Sequence, residues 1–156
     1  MRIALFATVA TIAFAGAVVA AKPLTKPQAL AVMHERHEGM ETIGNANKSL
    51  RRQIESSAPD AMSVRLSAAQ IAQLSRKASS WFPAGTGPEL GKTGAKPEIW
   101  QKPQDFAAKL HNFQVAAQVF QAAANAGDAA AIKGRYTDMV HTCSACHDDY
   151  RMDMHH

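Results

Sequence analysis

Residues 106–128 read FAAKLHNFQVAAQVFQAAANAGD and carry the clearest pattern in this 156-residue chain. Phe106, Leu110, Phe113, Ala117, Phe120 and Ala124 step alternately by four and three. That is heptad spacing, which lines one apolar seam along a helix. The pattern stops at Asn125-Ala126-Gly127, where a glycine can adopt the left-handed turn that closes a helix. Asp128 follows, placed to cap another helix by accepting hydrogen bonds from its first free N–H groups.

Working outward, three more stretches show helical periodicity. After Asp128 come Ile132, Tyr136, Met139, Val140, Cys143, His147 and Tyr150. Toward the N-terminus, a stretch from about Pro27 to Leu50 carries Leu30, Met33, His37, Met40, Gly44 and Asn47 on one stripe. Another, from about Asp60 to Ser80, carries Val64, Ile71, Leu74, Ala78 and Trp81, with Asp60 or Ser63 as its cap. Met33 and Met62 read as core filler. Strand-like alternation is nearly absent, and the composition is rich in alanine and poor in aromatics, which favours helix. Four amphipathic helices with two short connections argue for an all-α fold, an antiparallel up-down four-helix bundle.

One connection is long. Residues 81–103, WFPAGTGPELGKTGAKPEIWQKP, hold four of the nine glycines and four of the seven prolines. Loops beyond about 12–15 residues are usually functional or disordered. Trp81, Phe82, Ile99 and Trp100 at its ends read as anchors that pack it down.

The N-terminus reads as a targeting segment. Arg2 precedes an uncharged apolar run from Ile3 to Val19, closed by small residues, the order of a secretory signal with cleavage near Ala20 or Ala21. Residues 1–21 are therefore expected to be a signal peptide and residues 22–156 one exported domain, without stable membrane insertion. Seventeen basic residues face 13 acidic ones, and no basic block carries interleaved aromatics, so nucleic acid is not an expected partner.

Export gives weight to the two cysteines, because paired thiols do not stay free in an oxidising compartment. Cys143, Cys146 and His147 form a Cys-x-x-Cys-His run. On a helix the three lie along one stripe. The run is the attachment pattern for c-type haem: each thiol adds across one vinyl group, and the neighbouring imidazole is held beneath the iron. A disulfide here would close a tiny loop and stabilise little. A thioredoxin-like pair needs preceding strands, and a zinc site needs four ligands, which no second cysteine pair supplies. One covalently attached haem c per chain is the expectation. Cys143 and Cys146 hold it, and His147 is the proximal iron ligand.

With these residues in view, the chain resembles the class II cytochromes c, typified by cytochrome c-prime. The carriers are Arg36, Met40, Gly44 and Lys48 at four-residue spacing, Phe82-Pro83 with Gly85-Thr86, Lys96-Pro97-Glu98-Ile99-Trp100, and the terminal Cys143–His147 run followed by Tyr150-Arg151. The resemblance implies a haem-bearing four-helix bundle with Met40 on the distal side of the haem. It implies that Arg36 lies near a propionate, that Thr86 reaches one, and that Arg151 is a cation beside the proximal ligand. It also implies a possible homodimer through the first two helices.

Met40 leaves two functions open. A sulfur bound to iron gives methionine–histidine ligation, which raises the potential and suits one-electron transfer with redox partner proteins in the periplasm. A sulfur that only packs leaves an open position for nitric oxide or carbon monoxide. The first is the leading reading. An enzyme is not expected, since no distal histidine–arginine pair is evident beyond Arg36, which the resemblance assigns to a propionate. His37 shares the Met40 stripe but reads as a polar residue at the bundle edge. Residues 33–38 could take up a stray metal but offer no closing ligand.

Overall fold

The computed structural model describes residues 22–153, and the expected signal segment lies outside them. Among the described residues the chain forms five α-helices: α1 (Lys26–Glu55), α2 (Ala61–Lys77), the short α3 (Glu98–Gln101), α4 (Pro103–Ala126) and α5 (Ala129–Tyr150). Among the described residues extended pairing is limited to one antiparallel bridge, Ala95 with Arg151. No described helix is long and apolar enough to cross a membrane.

The helix ends follow local chemistry. Thr25 N–H donates to the Gln28 side chain at 2.9 Å, and Pro27 supplies a fixed φ in the first turn of α1. Asp60 caps α2 by accepting from Met62 and Ser63 N–H at 3.2 and 3.0 Å. α4 closes at Gly127, whose φ of 79° is the left-handed conformation that glycine takes without penalty. Asp128 then caps α5 through Ala130 and Ala131 N–H at 2.9 and 3.2 Å.

The four long helices pack in sequence, α1 on α2, α2 on α4 and α4 on α5, in alternating directions. The core between them holds Ile43, Leu50, Val64, Ile71, Trp81, Phe113, Phe120 and Met139. The α4 seam is buried as its spacing demands, apart from a half-buried Leu110.

Two expectations are corrected. The buried stripe of α1 is Ala29, Met33, Arg36, Gly39, Ile43, Ala46 and Leu50, while Leu30 and His37 are exposed. Small residues let α2 and the long loop approach α1 closely, which turns the Leu30–His37 line outward. Met40, Gly44 and Asn47 lie on the half-buried flank of that stripe. Met62, expected in the core, is 56% exposed in the first turn of α2, next to an exposed Leu66.

The long loop is packed down by its aromatics, as its composition suggested. Trp81 and Ile99 are buried, and Trp100 Nε1–H donates to the Phe82 and Pro83 carbonyls at 3.2 and 3.0 Å. The outer edge of the Trp81 ring sits against α1 where Gly39 has no side chain. A Cβ there would fall 2.2 Å from its ring.

Candidate functional site: the open side between α1 and α5

Three sides of the bundle are closed and one is not: the backbones of α1 and α5 approach each other at almost no point. The charges of Arg51 and Glu55 near the end of α1 act on the Tyr136 hydroxyl in α5, so these two segments lie on the same side of the bundle.

The residues facing the gap leave room. A Cβ on Gly44 would meet nothing within 4 Å. One turn on, Asn47 buries its Oδ1 with no hydrogen-bond partner, a costly state for a buried acceptor. On the α5 side Cys143 and Cys146 are free and half-buried. Burial pushes the Cys143 thiol up, and pushes Cys146 to about 11. His147 stands exposed on the helix surface. Partial loss of water lowers its basicity, and the Arg151 charge lowers it further against the opposing pull of Asp148. A neutral imidazole keeps a ring nitrogen free to bind a metal. Two thiols and an imidazole on one stripe, facing a gap with an uncrowded glycine and an unpartnered amide, fit a haem.

Arg36 is placed differently from a group waiting at an open edge. It is 5% exposed, and both terminal nitrogens are committed to the long loop. Nη1 donates to the Trp81 carbonyl at 3.1 Å and Thr86 Oγ1 at 3.2 Å. Nη2 donates to the Thr86 carbonyl at 2.9 Å and Thr93 Oγ1 at 3.0 Å. The guanidinium also lies 5.2 Å from the Phe82 ring centre and 5.9 Å from that of Trp100. Thr86 is buried, and its hydroxyl donates to the Pro83 carbonyl at 2.8 Å.

His34, His37, His111 and His141 are all exposed. His37, Glu38 and Glu41 do converge at the surface, Glu41 supplying the third group that residues 33–38 lack. Sequence reasoning missed Gly39, Thr93, Lys109 and Asp149. Each acts through a partner far away in the chain, so no local spacing marks it.

A four-helix bundle that turns a Cys-x-x-Cys-His stripe toward its one open side defines a class, the helical c-type cytochromes. Within it, a family model described as Cytochrome C' matches residues 31–151, and the chain belongs to that family. It is similar to cytochrome c-554 of Cereibacter sphaeroides, 41% identical over 71 residues that cover 45% of this chain and 46% of the relative. It is also similar to cytochrome c' of Rhodopseudomonas palustris, 33% identical over 126 residues, with 77% and 81% covered. The first of these matches spans about half the length of the curated relative.

Among solved structures, cytochrome c' from Thermochromatium tepidum superimposes with a TM-score of 0.75 at 27% identity, covering 80% of this chain and 97% of that one. The nitric oxide complex of a mutant cytochrome c prime from Alcaligenes xylosoxidans gives 0.72 at 26% identity, with 80% and 97% covered. The chain is thus a haem c protein, and its two cysteines fit the covalent attachment.

Proposed function

We propose that this protein is an exported periplasmic cytochrome whose task is one-electron transfer. In this reading Cys143 and Cys146 form the thioether bonds, His147 binds the iron from the proximal side and Met40 binds it from the distal side. The observation that supports it most is that the half-buried Met40 of α1 and the half-buried Cys143 of α5 pack against the same core cluster. The apolar run of residues 3–19 and bacterial relatives support export to the periplasm.

Bound haem c supplies a couple that takes up and releases one electron. The chain's own residues set the conditions. Partial loss of water and then the Arg151 charge lower the basicity of His147, which favours the form that binds a metal. Met40 is half-buried and packed on the main core, so its sulfur is held by helix α1 and not by a mobile loop. A methionine–histidine pair favours the reduced form and raises the potential. Arg36 stiffens the loop through its terminal nitrogens, and its Nε–H is the donor left for a propionate. Thr86 acts behind it by fixing Arg36.

A second reading has one specific observation in its favour: the structural relative from Alcaligenes xylosoxidans is a nitric oxide complex. In that reading Met40 packs without bonding, and nitric oxide or carbon monoxide enters beside it. The Met40→Ala variant separates the two. In the electron-transfer reading it changes the spin state and lowers the potential; in the gas-binding reading the spin state stays as it was. Redox partner proteins follow from the first reading. A homodimer through the first two helices has a surface to use in the exposed Met62 and Leu66 of α2.

A further inference from the structure

The turn of α5 that carries Cys146 and His147 is gripped from outside by two lysines. Lys109 of α4 brings its ammonium 2.7 Å from Asp149 Oδ2 and donates to the Ala145 carbonyl at 3.1 Å. Ala145 precedes Cys146, and Asp149 follows His147 by two residues, so one side chain holds both ends of the turn. From the loop, Lys96 Nζ donates to the Asp148 carbonyl at 3.0 Å, and its backbone N–H donates to the Tyr150 carbonyl at 3.0 Å. A helix C-terminus leaves carbonyls unpaired and gathers the negative end of the helix dipole, so cations are favoured there. Lys109 is the less wet partner, its side chain 26% exposed against 55% for Asp149.

We infer that Lys109 is a positioning residue for the haem-bearing turn, and that the Lys109–Asp149 pair balances the charge beside the iron. The inference rests on the reading that His147 is the proximal ligand. With both partners present, their charges largely cancel at a distance. Without Lys109 an uncompensated carboxylate stabilises the oxidised iron, and without Asp149 an uncompensated ammonium stabilises the reduced iron.

The test is the midpoint potential of the haem-loaded protein in four variants. K109M is expected to lower it and D149N to raise it. Each shifts the oxidised-to-reduced ratio at fixed potential by about two- to ten-fold, less at high salt. The double variant is expected to return toward the wild-type value, and K109R to keep it. A clamp with no electrical role lowers the melting temperature of the single variants yet leaves both potentials unmoved, or moves them the same way. Either result overturns the inference. The underlying reading fails separately: His147→Ala would then keep the wild-type haem spectrum, whatever the lysine variants do.

Discussion

Arg36 and Thr86, fifty residues apart, are joined twice: Nη1–H donates to the threonine hydroxyl at 3.2 Å and Nη2–H to its carbonyl at 2.9 Å. With the Trp81 carbonyl and Thr93 hydroxyl also bonded, one guanidinium fastens the long loop to α1. The charge is buried, and burial lowers the guanidinium's basicity. Arginine still keeps its proton there, because its ordinary value lies so high.

Arg36→Leu is therefore expected to cost about 3 kcal/mol or more, since it strands several buried acceptors at once. Arg36→Lys recovers only part of that loss, because an ammonium lacks the planar fork that spans four acceptors. Denaturant unfolding of the haem-loaded protein, followed by tryptophan fluorescence, checks both. Equal stability in all three proteins would remove Arg36 from the loop's support.

Gly39 and Gly44 make a contrasting pair. An added Cβ at Gly39 lands 2.2 and 2.4 Å from two atoms of Trp81, whose Nε1–H is bonded to Glu35 and which cannot easily retreat. Gly39→Ala is expected to destabilise by about 1–3 kcal/mol through overpacking. At Gly44 the protein offers no clash. Gly44→Ala is expected to leave the melting temperature equal or higher, as alanine suits a helix better, while shifting the haem absorption if the porphyrin passes close to it.

Tyr150 gives a pH signature. Its ring is buried, edge-on to Phe106 at 5.3 Å, while its hydroxyl donates to Asp105 at the wall of a surface groove. Burial first, and the adjacent carboxylate second, push the phenol up to about 12. The neutral phenol is thus favoured by the fold. Its contribution to stability is complete below about pH 10, the ordinary phenol value, and is lost as the pH rises toward 12. Ultraviolet titration is expected to show a late phenolate phase that disappears in Tyr150→Phe. A tyrosine titrating at its ordinary value would contradict the placement.

Replacing Cys143 and Cys146 together with alanine is expected to abolish covalent haem. The check is haem-dependent peroxidase staining on a denaturing gel. A stained band from the double variant would overturn the attachment.

Much of the bundle was legible because large residues marked it. The α4 seam is spaced by phenylalanines and the Cys-x-x-Cys-His run is a compact motif, so both announce themselves within a few residues. The buried face of α1 did not, because Ala29, Gly39 and Ala46 are small and Arg36 is charged. Its burial depends on Trp81 and the loop arriving from elsewhere. Met62 went wrong for the opposite reason: its apolar side chain sits in a first turn that nothing covers. Lys109 was invisible because its partners, Ala145 and Asp149, come from another helix.

The most direct test of Met40–iron ligation is the visible and near-infrared absorption spectrum of the oxidised and reduced protein, before and after nitric oxide or carbon monoxide. The expected result is a low-spin spectrum with a weak sulfur-to-iron charge-transfer band, little response to gas, and loss of the band in Met40→Ala. A high-spin spectrum that shifts at once on adding gas would contradict it, leaving Met40 as packing beside an open iron and gas binding as the function.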